Sequence, residues 1–420
     1  MPGIFVPLYS FRSQPEKIDR YQENEGAGML GRSIENTLKF SAVILLLTSC
    51  AKPPSDTSGL DSNFNKDSGT TSKNKVTPAT ASPDTGTQTV ISASNSPAGG
   101  GGPTGGNGNN ISAASWFAAD MFFNQSIQNA AVDPLSSTIL SQLRWPTGVI
   151  KIDFSIDYYI ADSNAVRLAY MDNTGAPMAD ADYPAFVPTP STGAAGFESD
   201  NGPLTDGGDD HYLVIDPQNH QLIELYQGYI STLNGVRTLL ADGGAFIWDL
   251  KKTYPANLRG DVCTSADGGG LPVAPLVFSA EEVAAGHIDH AIRFAVQNSQ
   301  MQCGMYVRPT THAGNGGACT SGIPYGARLR LRADYPVNNL PSVGAQVVAR
   351  TLQKFGMILT DGANYDALMA KRDTSSTQKW TSPNSLLGAN DLNALQTTDF
   401  DMINAGPRIS VGGFDCVRTP

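Results

Sequence analysis

Apolar and polar residues alternate in many short stretches of the chain after residue 110, and this pattern predicts β-strands. The clearest stretch is 149–158, in which every second residue is apolar. Further predicted strands, with Gly, Asp, Asn and Pro in the turns between them, are His211–Asp216, Gln221–Gly228, Gly244–Leu250, His287–Val296, Met305–Arg308 and Ala327–Tyr335. So many short strands predict a mainly β fold, either a β-sandwich or a jelly roll.

A few helices are predicted around these strands. Ser342–Phe355 carries apolar residues on one stripe and is followed by Gly356, a residue that commonly ends a helix. Two shorter helices are expected earlier, at Ala114–Phe123 and at Pro134–Leu143, the second with Pro in its first turn. Because they are few, we expect these helices to be peripheral to the β domain.

The N-terminal part of the chain has a different pattern. Leu38–Ser49 is a short apolar run that ends in small residues, too short to span a bilayer and typical of a signal peptide. The sequence Leu47-Thr48-Ser49-Cys50 resembles the bacterial lipobox, in which the cysteine is lipidated and becomes the new N-terminus. We therefore expect residues 1–49 to be an upstream segment and lipoprotein signal peptide, and Cys50 to anchor the protein at the outer membrane or cell surface.

Composition divides the rest of the chain. Residues 50–110 are rich in Ser, Thr, Gly and Pro with almost no large apolar residues, which predicts a disordered tether. Residues 111–420 are expected to form a single β-rich globular domain. The formal net charge of -11 argues against a nucleic-acid partner, because a phosphate-binding face needs clustered Lys and Arg.

Four cysteines remain once Cys50 carries lipid: Cys263, Cys303, Cys319 and Cys416. An even number in an oxidising compartment predicts two disulfides, with three connectivities open. The pairing of Cys303 with Cys319 across a Gly- and Thr-rich loop, and of Cys263 with Cys416, is preferred. No CxxC pair is present, so a zinc site is disfavoured, and no cofactor or metal is predicted.

The histidines are the first candidates for chemistry. In the predicted strand His287–Val296, period two places His290 on an apolar face and Arg293 on the opposite face. His287 and His290 would then face opposite ways and could not bind one metal ion together. A core histidine is the structural alternative for His290.

Two further histidines lie near loops. His211 follows the acidic stretch Asp206–Asp210, which would suit calcium if it is not simply a solvated turn. His312 lies in a predicted loop, where functional residues are common. Together with His290 they would suit zinc or copper by ligand type, which makes a His-ligated metalloenzyme a third interpretation.

Carboxylates beside aromatic residues form a second candidate group. Glycoside hydrolysis uses two acids, one as proton donor and one as nucleophile or base. Glu224, Asp267 and Glu282 are predicted as the acid or base, with His290 and His312 orienting catalytic groups or substrate. Acids in ordinary turns are the structural alternative. Asp361, which begins a tight turn, belongs to the same group of acids.

Residues for substrate contact are predicted by type. Trp248 and Trp380, with Tyr254, would stack on sugar rings, and His211 and Arg293 would contact polar groups of the substrate. Tryptophan in a core is the ordinary alternative.

Three arginines, Arg328, Arg330 and Arg332, alternate with apolar residues and would point to one face. Such a face would bind an acidic polysaccharide or phosphate, unless its arginines pair with local acids.

Ordered segments of the chain between about residues 120 and 405 resemble a family of secreted proteins from actinobacteria and other microbes, most of them hypothetical proteins. They are Phe123–Ser126, Val132–Pro134, Asp210–Asp216, Ile223–Tyr226, Thr264–Asp267, Gly270–Pro272, Glu282–Gly286, His290–Ala291, Gly326–Ala333 and Lys354–Leu359. Some members are joined to sugar-binding modules, so the resemblance implies a carbohydrate substrate or ligand. This chain departs from them in its lipid tether and its added cysteines.

Together, these patterns predict a lipid-anchored extracytoplasmic protein that binds or hydrolyses an extracellular polysaccharide. If the protein is an enzyme, the mechanism is acid/base catalysis by carboxylates. A non-catalytic surface adhesin or glycan-binding module is the alternative.

Overall fold

The computed structural model describes residues 112–143, 145, 150–172, 178–179, 184, 186–198, 209–314, 317, 321–381, 385–411 and 416–418. The predicted signal peptide, Cys50, the tether at 50–110 and Cys319 lie outside these residues. In the described ranges, no helix has the length and apolar character needed to cross a membrane.

Strands are the main elements of the described ranges. In chain order they are β1 (Lys151–Asp153), β2 (Tyr159–Ile160), β3 (Val166–Asp172), β4 (Met178–Ala179), β5 (Val187–Thr189), β6 (Tyr212–Asp216), β7 (Gln221–Leu233), β8 (Val236–Asp249), β9 (Gly260–Asp261), β10 (Ile292–Gln297), β11 (Met301–Tyr306), β12 (Ile323–Tyr325), β13 (Arg328–Leu331), β14 (Met357–Ala363), β15 (Ala367–Met369), β16 (Phe400–Met402), β17 (Ile409–Ser410) and β18 (Val417–Arg418). The α-helices of the same ranges are α1 (Ser136–Leu140), α2 (Ala280–Ala285) and α3 (Val343–Lys354). Short 3-10 helices occupy Ala113–Trp116, Phe122–Asn124, Ala274–Leu276, Asn298–Gln300, Val337–Asn339 and Thr397–Asp399. The predicted mainly β fold with few helices is confirmed.

Two large sheets organise the fold. One has the order β1-β15-β10-β14-β13-β16, and the other has the order β2-β6-β7-β8-β3-β5, with β4 also paired to β8. In the first sheet β10 and β14 run parallel, and the crossover between them ends with α3. Smaller pairings join β11 to β12 and β17, and β9 to β18.

The two large sheets share an apolar core. Ile215 of β6 belongs to the same cluster of buried side chains as Ala295 of β10 and Ile358 of β14. The opposite face of the β10 sheet, with Phe294 and Leu359, belongs to a second cluster that includes the buried side of α3. Truncation of a fully buried Phe such as Phe294 to Ala would cost about 3–5 kcal/mol. This is a sandwich-like arrangement with a helix outside.

One irregularity in β14 sets the direction of an important side chain. Ala295 of β10 pairs with Asp361, although the preceding register would have placed Thr360 there, so β14 carries one extra residue. A bulge of this kind moves the following side chains to the other face. Asp361 therefore shares a face with Arg293 and Ala295, whereas strict alternation from Leu359 would have turned it toward α3.

The long hairpin of β7 and β8 was predicted too short. The two strands are joined by Asn234 and Gly235, both with positive φ (50° and 80°). An Asn-Gly pair in this conformation is the preferred two-residue hairpin turn. Pairing of the whole hairpin extends from Leu233–Val236 down to Gln221–Asp249, beyond the amphipathic segments that predicted it.

Several predicted strands are longer than the real ones, among them Ala327–Tyr335, where β13 covers only Arg328–Leu331. The prediction for 149–158 is confirmed only at β1, and His287–Ala291 is not a strand. Regular pairing of β10 begins where Ile292 meets Met357, so the residues before it lack a neighbouring strand. The predicted helix at Ala114–Phe123 is replaced by two 3-10 turns, whereas Ser342–Phe355 is confirmed, with the Ser342 hydroxyl accepting from Ala345 N at 3.1 Å.

The predicted anion-binding arginine face is wrong. Arg328 is buried and donates to the backbone carbonyls of residues 122, 125 and 355. Arg330 donates to carbonyls of residues 127, 128 and 130 and to Asp401. Arg332 is exposed and pairs with Asp334. The arginines tie the N-terminal turns to β13 and pair with local acids.

The disulfide prediction is confirmed for Cys263 and Cys416. This bond lies next to the pairing of β9 with β18, so it fixes the C-terminal strand to the segment that follows β9. Cys303 is also disulfide-bonded.

Candidate functional site

Arg293 of β10 lies between the carboxyl groups of two aspartates, Asp267 and Asp361. Its Nε is 2.9 Å from Asp267 Oδ2 and its Nη2 is 3.2 Å from Asp267 Oδ1, a bidentate pair. The same Nη2 is 3.6 Å from Asp361 Oδ2. Arg293 and Asp267 are buried, whereas the Asp361 side chain is 26% exposed. Solvent therefore reaches this cluster at Asp361.

The glycine run 268–270 brings the loop that carries the first carboxylate against β14. Gly268 N donates to Asp361 Oδ2 at 3.3 Å, and Gly269 N donates to Thr360 O at 2.7 Å. A Cβ on Gly268 would lie 2.6 Å from Asp361 Oδ1, and one on Gly269 would lie 2.9 Å from Thr360 O. Only residues without a side chain allow this close approach.

Asp361 has the electrostatics of a proton donor. Burial raises its pKa to about 7, and the charge of Asp267 adds to the effect, while Arg293 opposes it. The Gly362 N–H donates to Oδ1 at 2.8 Å. The result is a partly exposed carboxyl group that holds its proton up to about neutral pH, the property expected of a general acid.

His312 lies on the other side of the same glycine run. Its Nδ1 is 2.8 Å from Gly268 O, so Nδ1 carries the proton and donates. Burial lowers the pKa of His312, which leaves the ring neutral and Nε2 with a free electron pair to accept a proton. Because Gly268 contacts Asp361 through its N–H and His312 through its C=O, the contacting atoms are within about 10 Å of each other.

His211 lies beside this group of residues at the start of β6. Its Nδ1 contacts the Glu198 carboxylate and its Nε2 is 2.7 Å from Ala266 O, next to Asp267 in the chain. Burial alone would lower the pKa of His211, but the charge and hydrogen bond of Glu198 outweigh it and raise the pKa. His211 is therefore a buried imidazolium, with Glu198 as its counter-ion.

The structure therefore brings together four of the predicted site residues: Asp267, Arg293, His211 and His312. They reach one place from β10, from the start of β6 and from two loops. Asp361 joins them from β14.

Glu224 and Trp248 lie in the core. Glu224 accepts from Val273 N at 2.7 Å, from Ala274 N at 3.0 Å and from Trp248 Nε1 at 3.0 Å, and it is fully buried. Burial raises the pKa of Glu224 to about 7. The Trp248 ring is covered by the Arg259 guanidinium, 3.9 Å from its centroid. This arrangement positions the start of the 3-10 helix at Ala274–Leu276 and leaves neither side chain exposed to a ligand.

Glu282 and His290 pair with each other. His290 Nε2 is 3.1 Å from Glu282 Oε1 and its Nδ1 is 2.7 Å from Ala291 O. Glu282 Oε2 accepts from the N–H and the hydroxyl of Ser279, both at 2.9 Å, which forms the capping box of α2. Both ring nitrogens of His290 are thus engaged. His287 is exposed and pairs instead with Asp289 at 2.8 Å.

The other aromatic residues predicted to stack on sugar rings, Trp380 and Tyr254, are also buried. Trp380 donates from Nε1 to Lys371 O at 2.8 Å and packs against Phe154 and Phe278. It is 4% exposed, and Tyr254 is 8% exposed. In this structure these rings face the core.

His211, His290 and His312 do not converge on a metal ion. The ring nitrogens of the first two are occupied by protein acceptors. Within the described part of the chain, no group of three or more His, Cys, Asp or Glu side chains has the arrangement of a metal site.

Two members of the site were missed or undervalued by sequence reasoning. Glu198 stands in an irregular segment without a periodic signal. Asp361 was noted as a turn acid, and the signal for its role was its position directly after the apolar run Met357–Thr360. Its orientation depends on the bulge, which the pattern does not indicate.

Comparison with models of protein families, with curated proteins and with solved structures finds no match for this chain.

Proposed function

We propose that the cluster of Asp361, Asp267, Arg293 and His312 is the active site of a hydrolase that acts on an extracellular polysaccharide. One observation carries this proposal: a single guanidinium nitrogen contacts both a fully buried carboxylate and a partly exposed carboxyl group with a raised pKa. Two acids whose environments differ in this way are the arrangement that glycoside hydrolysis needs.

In the proposed reaction Asp361 is the general acid. It donates its proton to the glycosidic oxygen as the bond from that oxygen to the anomeric carbon breaks. The nearest oxygens of Asp361 and Asp267 are within about 7 Å, because both lie close to Arg293 Nη2. The charge of Asp267 stabilises the positive charge that develops at the anomeric carbon.

A water molecule supplies the new bond to the anomeric carbon. As its oxygen attacks, its proton passes to Nε2 of His312, which is neutral and already holds its other proton on Nδ1. The acid has then lost one proton and the base has gained one. Solvent returns both groups to their starting states before the next cycle.

The proposal includes the cellular location. The lipobox-like Leu47–Cys50 and the Ser/Thr/Gly-rich residues 50–110 support a lipid anchor on Cys50 and a tether that places the site outside the cytoplasm. Cys50→Ala is expected to abolish incorporation of labelled fatty acid and to release the protein from the membrane fraction. Retention of label by this variant would contradict the anchor.

The catalytic proposal is tested by the release of reducing sugars from a panel of polysaccharides. Wild-type protein is expected to release them, Asp361→Asn is expected to lose the activity, and Asp289→Asn serves as the matched control because Asp289 is exposed and pairs with His287. Retention of a polysaccharide without products, equally in wild type and Asp361→Asn, would favour the non-catalytic glycan-binding module.

A further inference from the structure

His211 and Glu198 form a pair that the proposed reaction does not use directly. His211 is 3% exposed, and both of its ring nitrogens face acceptors: the Glu198 carboxylate at Nδ1 and the Ala266 carbonyl at Nε2, 2.7 Å away. A neutral ring has one N–H and would satisfy one of them. Two protons are therefore needed, and the imidazolium with an ionised Glu198 supplies both hydrogen bonds.

This pair also contains backbone hydrogen bonds. His211 N donates to Glu198 Oε2 at 3.2 Å, and Glu198 N donates to His211 O at 2.7 Å. The side-chain contact is thus fixed by the main chain on both sides. The imidazolium has one direction in which to point its Nε2–H, toward Ala266.

The Ala266 carbonyl belongs to the residue before Asp267. On the other side of Ala266, the Ser265 hydroxyl accepts from Asp267 N at 2.9 Å and donates to Leu271 O at 2.6 Å. His211 therefore holds, from the seven-stranded sheet, the loop that places Asp267 against Arg293 of the other sheet. Without the imidazole, the Ala266 carbonyl would lose its hydrogen-bond donor.

The charged groups of Glu198 and His211 also interact electrostatically with residues in and near the proposed active site. Glu198 interacts electrostatically with Arg293, and His211 interacts electrostatically with the carboxylate of Asp209, two residues before it in the chain. The Tyr226 ring lies 5.5 Å from the His211 ring. As long as both partners are present their charges are equal and opposite, so removal of His211 alone adds one uncompensated negative charge beside Arg293.

We propose that His211, held as an imidazolium by Glu198, is a positioning residue that fixes the Asp267 loop and balances charge at the Arg293–Asp361 pair. This inference rests on the proposed hydrolase function. It assigns His211 no contact with the substrate, in contrast to the role in substrate binding that the sequence predicted.

The test compares His211→Asn, Glu198→Gln and the double variant in the full-length protein, with His287→Asn as the control at an exposed histidine. We expect His211→Asn to lower kcat about a hundredfold with KM within about twofold, because displacement of a catalytic loop acts on the chemical step. Glu198→Gln is expected to lower kcat by a smaller factor, since a neutral His211 can still donate to the Ala266 carbonyl.

The pH profile separates positioning from general damage. In His211→Asn the unpaired Glu198 charge should move the alkaline limb of the kcat profile to higher pH, and the double variant should restore the limb but not kcat. A variant that is merely less well folded would lose active protein without moving the limb. An unmoved limb, or kcat within about threefold of wild type, would overturn the proposal.

A spectroscopic readout covers the case in which His211→Asn does not fold. In wild-type protein with labelled histidine, the His211 ring should show two N–H signals at pH 8, one of which disappears in Glu198→Gln. A single N–H signal in wild type would overturn the imidazolium whatever the activity. Full activity of Asp361→Asn would instead refute the proposed function, and the N–H signals would still decide the pairing.

Discussion

Asp361 keeps its proton beside a guanidinium group: its Oδ2 lies 3.6 Å from Arg293 Nη2, yet its pKa is raised to about 7. A cation at this distance normally lowers the pKa of a carboxyl group. Here burial is the largest cause of the raised pKa, and the Asp267 charge adds to it by repelling a second anion, while Arg293 is already committed to a bidentate pair with Asp267. The arginine serves one carboxylate and leaves the other close to its neutral form.

The first prediction concerns the pH dependence of activity. Since the general acid must be protonated, kcat should fall as the pH rises above about 7, the range in which Asp361 loses its proton. Asp361→Asn should lower kcat by about 10²–10⁴-fold, the usual contribution of a general acid. Rates over pH 5–9 with one soluble polysaccharide provide the measurement.

Asp289→Asn should keep the wild-type profile. A wild-type kcat that stays constant from pH 5 through pH 8 would show that no group with the pKa of Asp361 takes part in the rate-limiting step.

A second prediction concerns stability. Removal of the Asp361 carboxyl group should stabilise the folded protein at high pH, whereas removal of a buried charged group usually destabilises it. The folded-state pKa of Asp361 is raised above the ordinary value of 3.8, so the folded protein binds more protons than the unfolded chain between these two values. The free energy of unfolding should therefore fall as the pH rises through this interval. Asp361→Asn should remove that fall, and it should be more stable than wild type at pH 8 when measured by urea unfolding.

Asp267→Asn should have the reverse effect. It leaves Arg293 buried without its bidentate partner, a change that typically costs about 3–5 kcal/mol when a buried ion pair is broken. With the Asp267 charge gone and Arg293 free to attract Asp361, the pKa of Asp361 should also fall. Urea unfolding at pH 7 tests the first effect, and a shift of any residual activity to lower pH tests the second.

The Glu282–His290 pair leads to a prediction about stability below neutral pH. Burial alone would lower the pKa of His290, but Glu282 outweighs it and raises the pKa above the ordinary 6.5. The stabilisation from this pair is then fully present below about pH 6.5 and is lost as the pH rises through the folded-state value. Glu282→Gln should destabilise the protein by about 1–3 kcal/mol at pH 6 and by less at high pH.

The exposed pair of His287 and Asp289 provides the comparison. Its two side chains are 62% and 63% exposed, so Asp289→Asn should change the free energy of unfolding little at any pH. If Glu282→Gln behaved in the same way as this surface variant, the charge interaction assigned to His290 would be wrong.

The disulfide between Cys263 and Cys416 closes a sequence separation of 153 residues. Cross-links of native domains typically contribute about 2–5 kcal/mol, mainly by restricting the unfolded chain. The double variant Cys263→Ser/Cys416→Ser should lose stability in that range when measured by urea unfolding without reductant. Equal stability of the two proteins would mean that the pairing of β9 with β18 holds the C-terminus without the bond.

The local sequence pattern was sufficient to predict those helices and strands whose ends are marked by neighbouring residues. The helix α3 has both an apolar stripe and a capping Ser342, and β6 follows a loop directly, so both were predicted within a residue or so. His312 was predicted to lie in a loop, and it does. These are signals that a few neighbouring residues contain.

Long-range geometry could not be predicted in the same way. Asp267 and Arg293 are 26 residues apart in the chain, and their contact depends on how the loop packs between the sheets. The preference for Glu224 and Glu282 as catalytic acids came from residue type alone. In the structure the Glu224 carboxylate accepts from the backbone N–H of Ala274, and Glu282 caps the start of α2.

The extra residue at Thr360 makes the site depend on the length of β14 as well as on its composition. Because Leu359 faces α3, deletion of Thr360 would place Asp361 directly after it, and strict alternation would keep the carboxyl group on the face of Arg293. The bulge itself would be lost, and with it the Thr360 carbonyl that accepts from Gly269 N and holds the glycine run 268–270 against β14. Related sequences should therefore be compared by strand register, since an alignment gap of one residue here would mark the loss of this loop attachment even where Asp is retained.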